Sequence, residues 1–446
     1  MKTAIVIVVL PLALSTVAFA VAFADFGTEK QSNWHHWRGP EINGVSRTAN
    51  PPTTWSEQEN VKWKVAVDGK GTSTPIVWGD RVFLLTAIDT KQVDPTLSKP
   101  EDQAERPFGI TYPNTTYEFV VICLDRHTGK EIWRRTAADK IPHQGHHGDN
   151  SFASASPTTD GKRLYAWFGS VGIFCYDLNG DLLWKRDLGT VETRLSFGEG
   201  SSPVVHGNRV VINRDNESDS KITVLDAGTG DFVWQEQRDE PSAWATPLIV
   251  EHGGRTQIIT NASNRVRSYD LVDGELNWEC GGQMGNVTPS PVRFDNVVIC
   301  MSGYKGYSAL ALPLDSQGDI TESEKIAWSK NRATPYVPSP LLYDDLLYFN
   351  QSNDAILSCL NARTGEAEIS PTRIPKIRGI YASPVGANDR VYVTGRDGAT
   401  VVLRHGNRFE VLAENQLADG FDASPALVDN QLLLRGRSYL YCISEE

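Results

Sequence analysis

A Ser/Thr-Pro step followed by an apolar run occurs eight times in this chain, and no other feature limits its fold so tightly. The steps are Thr74-Pro75, Ser156-Pro157, Ser202-Pro203, Thr246-Pro247, Ser290-Pro291, Ser339-Pro340, Ser383-Pro384 and Ser424-Pro425. Successive prolines lie 82, 46, 44, 44, 49, 44 and 41 residues apart. A repeat of that length is one four-stranded unit of a propeller. Proline suits the start of an innermost strand, whose channel-side edge has no ladder partner to lose.

Each unit then runs through further strand-like segments, and several close on a tryptophan: Trp133, Trp184, Trp234, Trp278 and Trp328. Five units carry an Asp/Asn-to-Gly turn, at 125–129, 177–180, 226–230, 270–274 and 361–365. Asp caps its own turn and Gly takes positive φ, so each reads as the hairpin between a third and a fourth strand. The tryptophans read as anchors between neighbouring units. The sixth and seventh units lack this Trp, which predicts weaker interfaces there. The last unit stops after its third strand, at Leu440 to Glu446. An orphan strand around Trp63 supplies the missing fourth. The expected fold is therefore all-β, an eight-bladed propeller over 59–446 whose ring is closed by an N-terminal strand completing the last blade.

The first unit is nearly twice the usual length, because 86–116 separates its second and third strands. That insert is polar and Pro-rich, and reads as a long excursion on one face. Residues 25–58, with Trp34, Trp37, Arg38, Gly39 and Pro40, read as an ordered arm packed on the body. His35 and His36 are expected to be solvated. Within residues 1–24, Met-Lys-Thr precedes an uncharged apolar run from Ala4 to Ala24, with Ala-x-Ala patterns ending at Ala20 and Ala24. This predicts a secretory signal and an exported protein, periplasmic or secreted, with no integral membrane segment after cleavage. An uncleaved anchor is the alternative for a run of nearly span length. The run holds no Cys for lipid attachment.

Four of the six cysteines, Cys123, Cys175, Cys359 and Cys442, share one slot in the repeat, where other units carry Val, Ala or Ser. They read as packing residues. Cys280 and Cys300 are left over, and their pairing stays open. A net charge of −12 without basic runs argues against nucleic acid as a partner.

In a propeller, the loops leading into the innermost strands share a face with the loops between the second and third strands. Glu199, Trp244, Asn286, Tyr336, Tyr381, Arg396 and Asp422 would then ring one mouth of the channel. Aromatic faces beside amides, carboxylates and Arg suit a sugar, peptide or small acid. The same residues can serve only to fill the channel, so both readings stand. His143, His146 and His147, with Asp149, form the one local His cluster. They could hold zinc or copper, or be solvated turn residues, and no metal is expected. Neither a nucleophile elbow, nor a zinc-protease helix, nor a phosphate loop is present.

The unit "aromatic-Ala/Ser-Ser-Pro … Cys-Leu-Asp-x-x-Thr-Gly-x-x-x-Trp", clearest at 121–133 and 223–234, resembles the PQQ-like (pyrroloquinoline-quinone, quinoprotein alcohol dehydrogenase-like) propeller repeat. The resemblance covers about 59–446, with the Trp-rich arm as in exported bacterial members. It implies eight blades with a tryptophan docking motif. Function is left open, since quinoprotein dehydrogenases and non-catalytic propellers share the repeat. One non-catalytic example is the lipoprotein of outer-membrane barrel assembly. Dehydrogenases of this kind hold PQQ against a disulfide of adjacent Cys, stacked on Trp, with Ca²⁺ on carboxylate and amide. This chain has no adjacent Cys pair and no haem C-x-x-C-H motif. The expectation is a monomeric binding or scaffold module for a protein or glycan, acting through its loop-rich face without a cofactor. The alternative is an enzyme with its site at the channel mouth, either a divergent oxidoreductase using PQQ and Ca²⁺ or a carbohydrate-active enzyme.

Overall fold

The computed structural model describes residues 26–445; the signal expected over 1–24 lies outside them. Eight sheets, antiparallel but for one short added strand, follow one another around a ring. Blade one is Ile76–Trp78, Arg81–Val93, Thr115–Asp125 and Glu131–Lys140, from the channel outward. Blade eight takes Ala426–Val428, Gln431–Arg435 and Tyr439–Ile443 from the C-terminal region, and its outermost strand is Val61–Ala66. That strand runs antiparallel to Tyr439–Ile443, with Trp63 opposite Cys442 and Val65 opposite Leu440. The chain is an eight-bladed propeller closed by its N-terminal strand.

Burial follows position within a blade. The second and third strands are buried on both faces between neighbouring blades, so they read as continuous apolar runs such as Val82 to Ala87 and Phe119 to Leu124. Outer strands alternate, and in Val61–Ala66 Trp63 is the buried residue. All six cysteines are buried and unpaired, including Cys280 and Cys300.

Each step's Ser or Thr also has a task. The N–H of Thr74 donates to Oγ of Ser156 (2.9 Å), that of Ser156 to Ser202 (2.9 Å), and that of Ser202 to Thr246 (3.1 Å). The series continues through Ser290, Ser339 and Ser383 to Ser424, at 2.9 to 3.0 Å. A chain of hydroxyls thus links blade to blade around the channel. Between blades eight and one its place is taken by Arg435, a buried side chain that donates to Oγ of Ser73 and to the carbonyl of Leu85.

The tryptophans dock outward onto the next blade. Nε1 of Trp63 donates to the Arg126 carbonyl (2.9 Å), and Trp133, Trp184, Trp234 and Trp328 do the same to Leu178, Ala227, Leu271 and Ala362. The turn glycine lies under each indole. At Gly230, with φ +73°, a Cβ would stand 2.5 Å from Trp184. Trp278 departs from the rule, because blade five has no such turn. Instead Gly318–Asp319 adds a short parallel strand beside Trp278 and Glu279. Blades six and seven meet through Tyr343 stacked on His405 (3.9 Å between ring centroids) and Tyr348 bonded to Gly406.

The segment before Val61 crosses the face opposite the lead-in loops. Trp34 pairs with Val77, Asn33 caps Gly79, and Gly44 and Ser46 bond Gly386, all at the downstream ends of inner strands. Arg38 reaches into the channel and donates to the carbonyls of Pro340 (2.6 Å) and Pro384 (3.1 Å). These oxygens belong to the channel edge that no strand covers. His35 and His36 correct the sequence expectation: both are buried rather than solvated. Nδ1 of His36 accepts the Arg38 N–H (3.1 Å), and burial pushes both imidazoles down.

Candidate functional site

With one end of the channel covered, the lead-in loops frame the other. Trp244, Tyr336, Tyr381 and Asp422 line a cavity of about 370 Å³ at this mouth. A wider cavity of about 790 Å³ adjoins it, sharing Thr72, Asp149 and Asp422 and adding Lys70, Arg378, Arg396 and Arg437. The mouth therefore has an aromatic side and a charged side.

Each aromatic is pinned by neighbouring blades. The Trp244 backbone N–H donates to Val287 (2.7 Å), and its indole N–H donates to Gly198 (2.7 Å). The loop that carries it is anchored by a fully buried ion pair, in which Arg238 meets Asp215 at 2.6 Å and 3.1 Å and also bonds Tyr269. Removing one partner of such a pair costs about 3–5 kcal/mol, so the loop is rigidly held. Tyr336 lies 5.0 Å from Tyr304, ring to ring, and burial raises its phenol pKa.

On the charged side, Arg396 joins three blades. Its Nε donates to Asp422 (2.6 Å), its Nη2 to Asp149 (2.7 Å), and its guanidinium lies 3.9 Å from the Tyr381 ring centre. The Tyr381 hydroxyl donates to the second Asp149 oxygen (2.8 Å). Burial works against the Asp149 carboxylate, but the hydrogen bonds from Arg396 and Tyr381 outweigh it and hold its pKa below the usual range. Arg437 donates to Asp422 (3.2 Å).

The remaining residues of the expected ring lie elsewhere. Glu199 faces a separate cavity of about 400 Å³ with Lys140, His143 and Asp187. There it accepts the Ser170 N–H (2.7 Å), and burial raises its carboxyl pKa. Asn286 is buried beneath the mouth, with neither amide atom hydrogen-bonded.

The histidine cluster is split among three cavities. His143 bonds the Val191 carbonyl (2.7 Å) beside Glu199, His146 packs on Phe152, and His147 lines the aromatic mouth. Among the described residues, no three His, Cys, Asp or Glu side chains stand together as a metal site.

The sequence reading missed Phe108, Phe197 and Tyr304, which also line the mouth. Phe108 comes from the insert, whose ends continue the two strands as far as Val93 and back from Thr115, so that only 94–114 is an excursion. This segment folds over the mouth. Tyr112 bonds Ser196 (2.8 Å), and Phe108, at φ 62° and 68% exposed, meets the rings of His147 and Phe197 at 5.3 Å. An aromatic in a polar insert was the available signal.

Fold and mouth together define an eight-bladed propeller whose channel is covered at one end and opens at the other into a ligand-sized cavity. A family model, PQQ_2, described as outer membrane protein assembly factor BamB, matches residues 118–370, more than half the chain. The chain belongs to this PQQ-like propeller family. It is similar to BamB from Moraxella catarrhalis, with 14% identity, a TM-score of 0.58, and 85% of this chain and 98% of that one covered. It is similar also to quinohemoprotein alcohol dehydrogenase from Comamonas testosteroni, with 12% identity, a TM-score of 0.64, and coverage of 97% and 84%. A computationally designed protein, Ika8, gives 12%, 0.52, and coverage of 75% and 95%. At these identities the likeness is one of fold. No curated protein matches the chain.

Proposed function

We propose that the protein is an exported, monomeric binding module that holds a protein or glycan at the open mouth of its propeller. The observation that carries this reading is the asymmetry of the channel. Its far end is covered by the segment around Trp34 and Arg38, while its near end opens into joined aromatic and charged cavities. Export rests on the signal pattern of 1–24 and accords with the absence, among the described residues, of a helix long and apolar enough to cross a membrane.

The residues of the mouth do not fit PQQ as quinoprotein dehydrogenases hold it. No cysteine lines either cavity there. The two carboxylates best placed for Ca²⁺, Asp149 and Asp422, are both engaged by Arg396, whose positive charge opposes a cation. The binding reading is therefore preferred to the oxidoreductase.

Its test is a glycan array and a pull-down from exported proteins, run with the wild type and with Trp244→Ala, Tyr336→Ala and Tyr381→Ala. Loss of the wild-type ligand in these variants is expected, by about tenfold or more for a central aromatic contact. Unchanged binding in all three would move the site away from the mouth.

A further inference from the structure

We infer that the ligand of the mouth is a short acidic oligosaccharide, its sugar rings on the aromatic side and its carboxylate or sulfate on the charged side. This rests on the mouth being the binding site, as proposed above, and names the chemistry it selects.

The first ground is the balance of charge. The chain carries a net −12, yet the wider cavity gathers Lys70, Arg378, Arg396 and Arg437. Its carboxylates are already engaged: Asp149 by Arg396 and Tyr381, Asp422 by Arg396 and Arg437, and Asp397 by the Arg378 backbone N–H. Four cations thus face three carboxylates, a surplus of one, and Lys70 and Arg378 are the two that, among the described residues, stand outside any ion pair. Nζ of Lys70 bonds only the Gly148 carbonyl (2.9 Å), and among the described residues the Arg378 guanidinium has no carboxylate partner. Burial lowers the Lys70 pKa, and an anion in the cavity would relieve that cost. Ammonium and guanidinium groups with unused donors, converging on one hollow, suit a carboxylate or sulfate.

The second ground separates a sugar from an extended peptide. A peptide that docks by strand addition needs free backbone edges. The mouth loops spend theirs on each other: the N–H groups of Tyr336, Ile380, Arg396 and Arg437 donate to Ser352, Asn353, Gly379 and Gly420. The polar handles of Trp244 and Tyr381 are likewise tied, to Gly198 and Asp149. What these two residues offer a ligand is therefore chiefly ring face. Flat apolar faces beside a few fixed polar groups suit the C–H face of a pyranose, and a cavity of about 370 Å³ is within the range of small-ligand sites.

The experiment is titration calorimetry of the full chain with trigalacturonate, a sulfated galactotriose, unmodified galactotriose and a hexaglutamate peptide. The variants are Lys70→Gln/Arg378→Gln, whose side chains bear on no ion pair of the fold, and Tyr336→Ala; circular dichroism confirms that each folds. At least one acidic saccharide is expected to bind about tenfold or more tightly than the neutral one, and the double variant to lose about that factor together with much of the salt dependence. Which acidic saccharide binds decides between carboxylate and sulfate. Equal binding of the neutral trisaccharide, tighter binding of the peptide, or no saccharide binding overturns the inference. Should Tyr336→Ala weaken binding while the double variant does not, the acidic preference falls and the mouth stands. If neither variant matters, both fall.

Discussion

At the scale of the residue, each repeat position carries two kinds of chemistry, and only one was legible. Proline could be assigned to the channel edge from its missing N–H alone. The hydroxyl beside it could not, because its partner is the backbone of a different blade, about 44 residues away in the Ser202 to Thr246 step. Histidines show the same limit. His35 and His36 looked like surface residues, yet they are sealed under the propeller. Burial, with Lys30 adding like charge, holds His35 down at about 3; His36 is lowered well below its ordinary value by burial, then by His35 and Arg38. Both rings are thus neutral when folded but take protons when unfolded below about pH 6.5. Their contribution is intact above that value and is lost as the pH falls toward the folded pKa, by about 1.4 kcal/mol per pH unit for each ring. Urea unfolding between about pH 7 and pH 5 should show this fall, and His35→Phe should roughly halve the slope. An unaltered slope would place the sensitivity elsewhere.

At the scale of the element, the ends of the chain settle the ring. Val61–Ala66 covers the edge of Tyr439–Ile443 and delivers Trp63 to the turn of blade one, where Gly129 lies under the indole. Trp63→Ala is expected to cost about 3–5 kcal/mol in urea unfolding, as a buried aromatic truncated in a closed interface. Ile132→Ala, on an exposed outer-strand position, should stay within about 0.5 kcal/mol. A small effect of Trp63→Ala would mean that the ring does not depend on this closure. These elements were readable because strand alternation, turn chemistry and repeat length are local. Where the pattern lapsed, at Trp278 and between blades six and seven, the structure substitutes an added strand and a Tyr–His stack, neither of which the repeat itself specifies.

At the scale of the whole molecule, the excursion of blade one becomes part of the surface of blades two and three. Replacing 94–114 by an Asn-Gly turn joins Val93 to Thr115, which already face each other in register. The shortened protein is expected to keep its far-UV circular dichroism and to unfold within about 1–2 kcal/mol of the parent. It should lose several-fold in ligand affinity, since Phe108 leaves the mouth. Collapse of the fold would show the insert to be a structural brace.

The number of blades, the strand order within them and the closure of the ring were determined by the sequence alone. The first two rest on interactions between near neighbours or on a period that repeats along the chain, and the closure on the one strand which that period leaves missing at its end. The tertiary structure alone decided which end of the channel is covered and which loops share the mouth. It also decided which charges there remain unpaired. The reason is separation: Arg396 meets Asp149 across 247 residues, and Arg38 meets Pro384 across 346. No local pattern encodes such a meeting, because it exists only once eight blades have closed around a common axis.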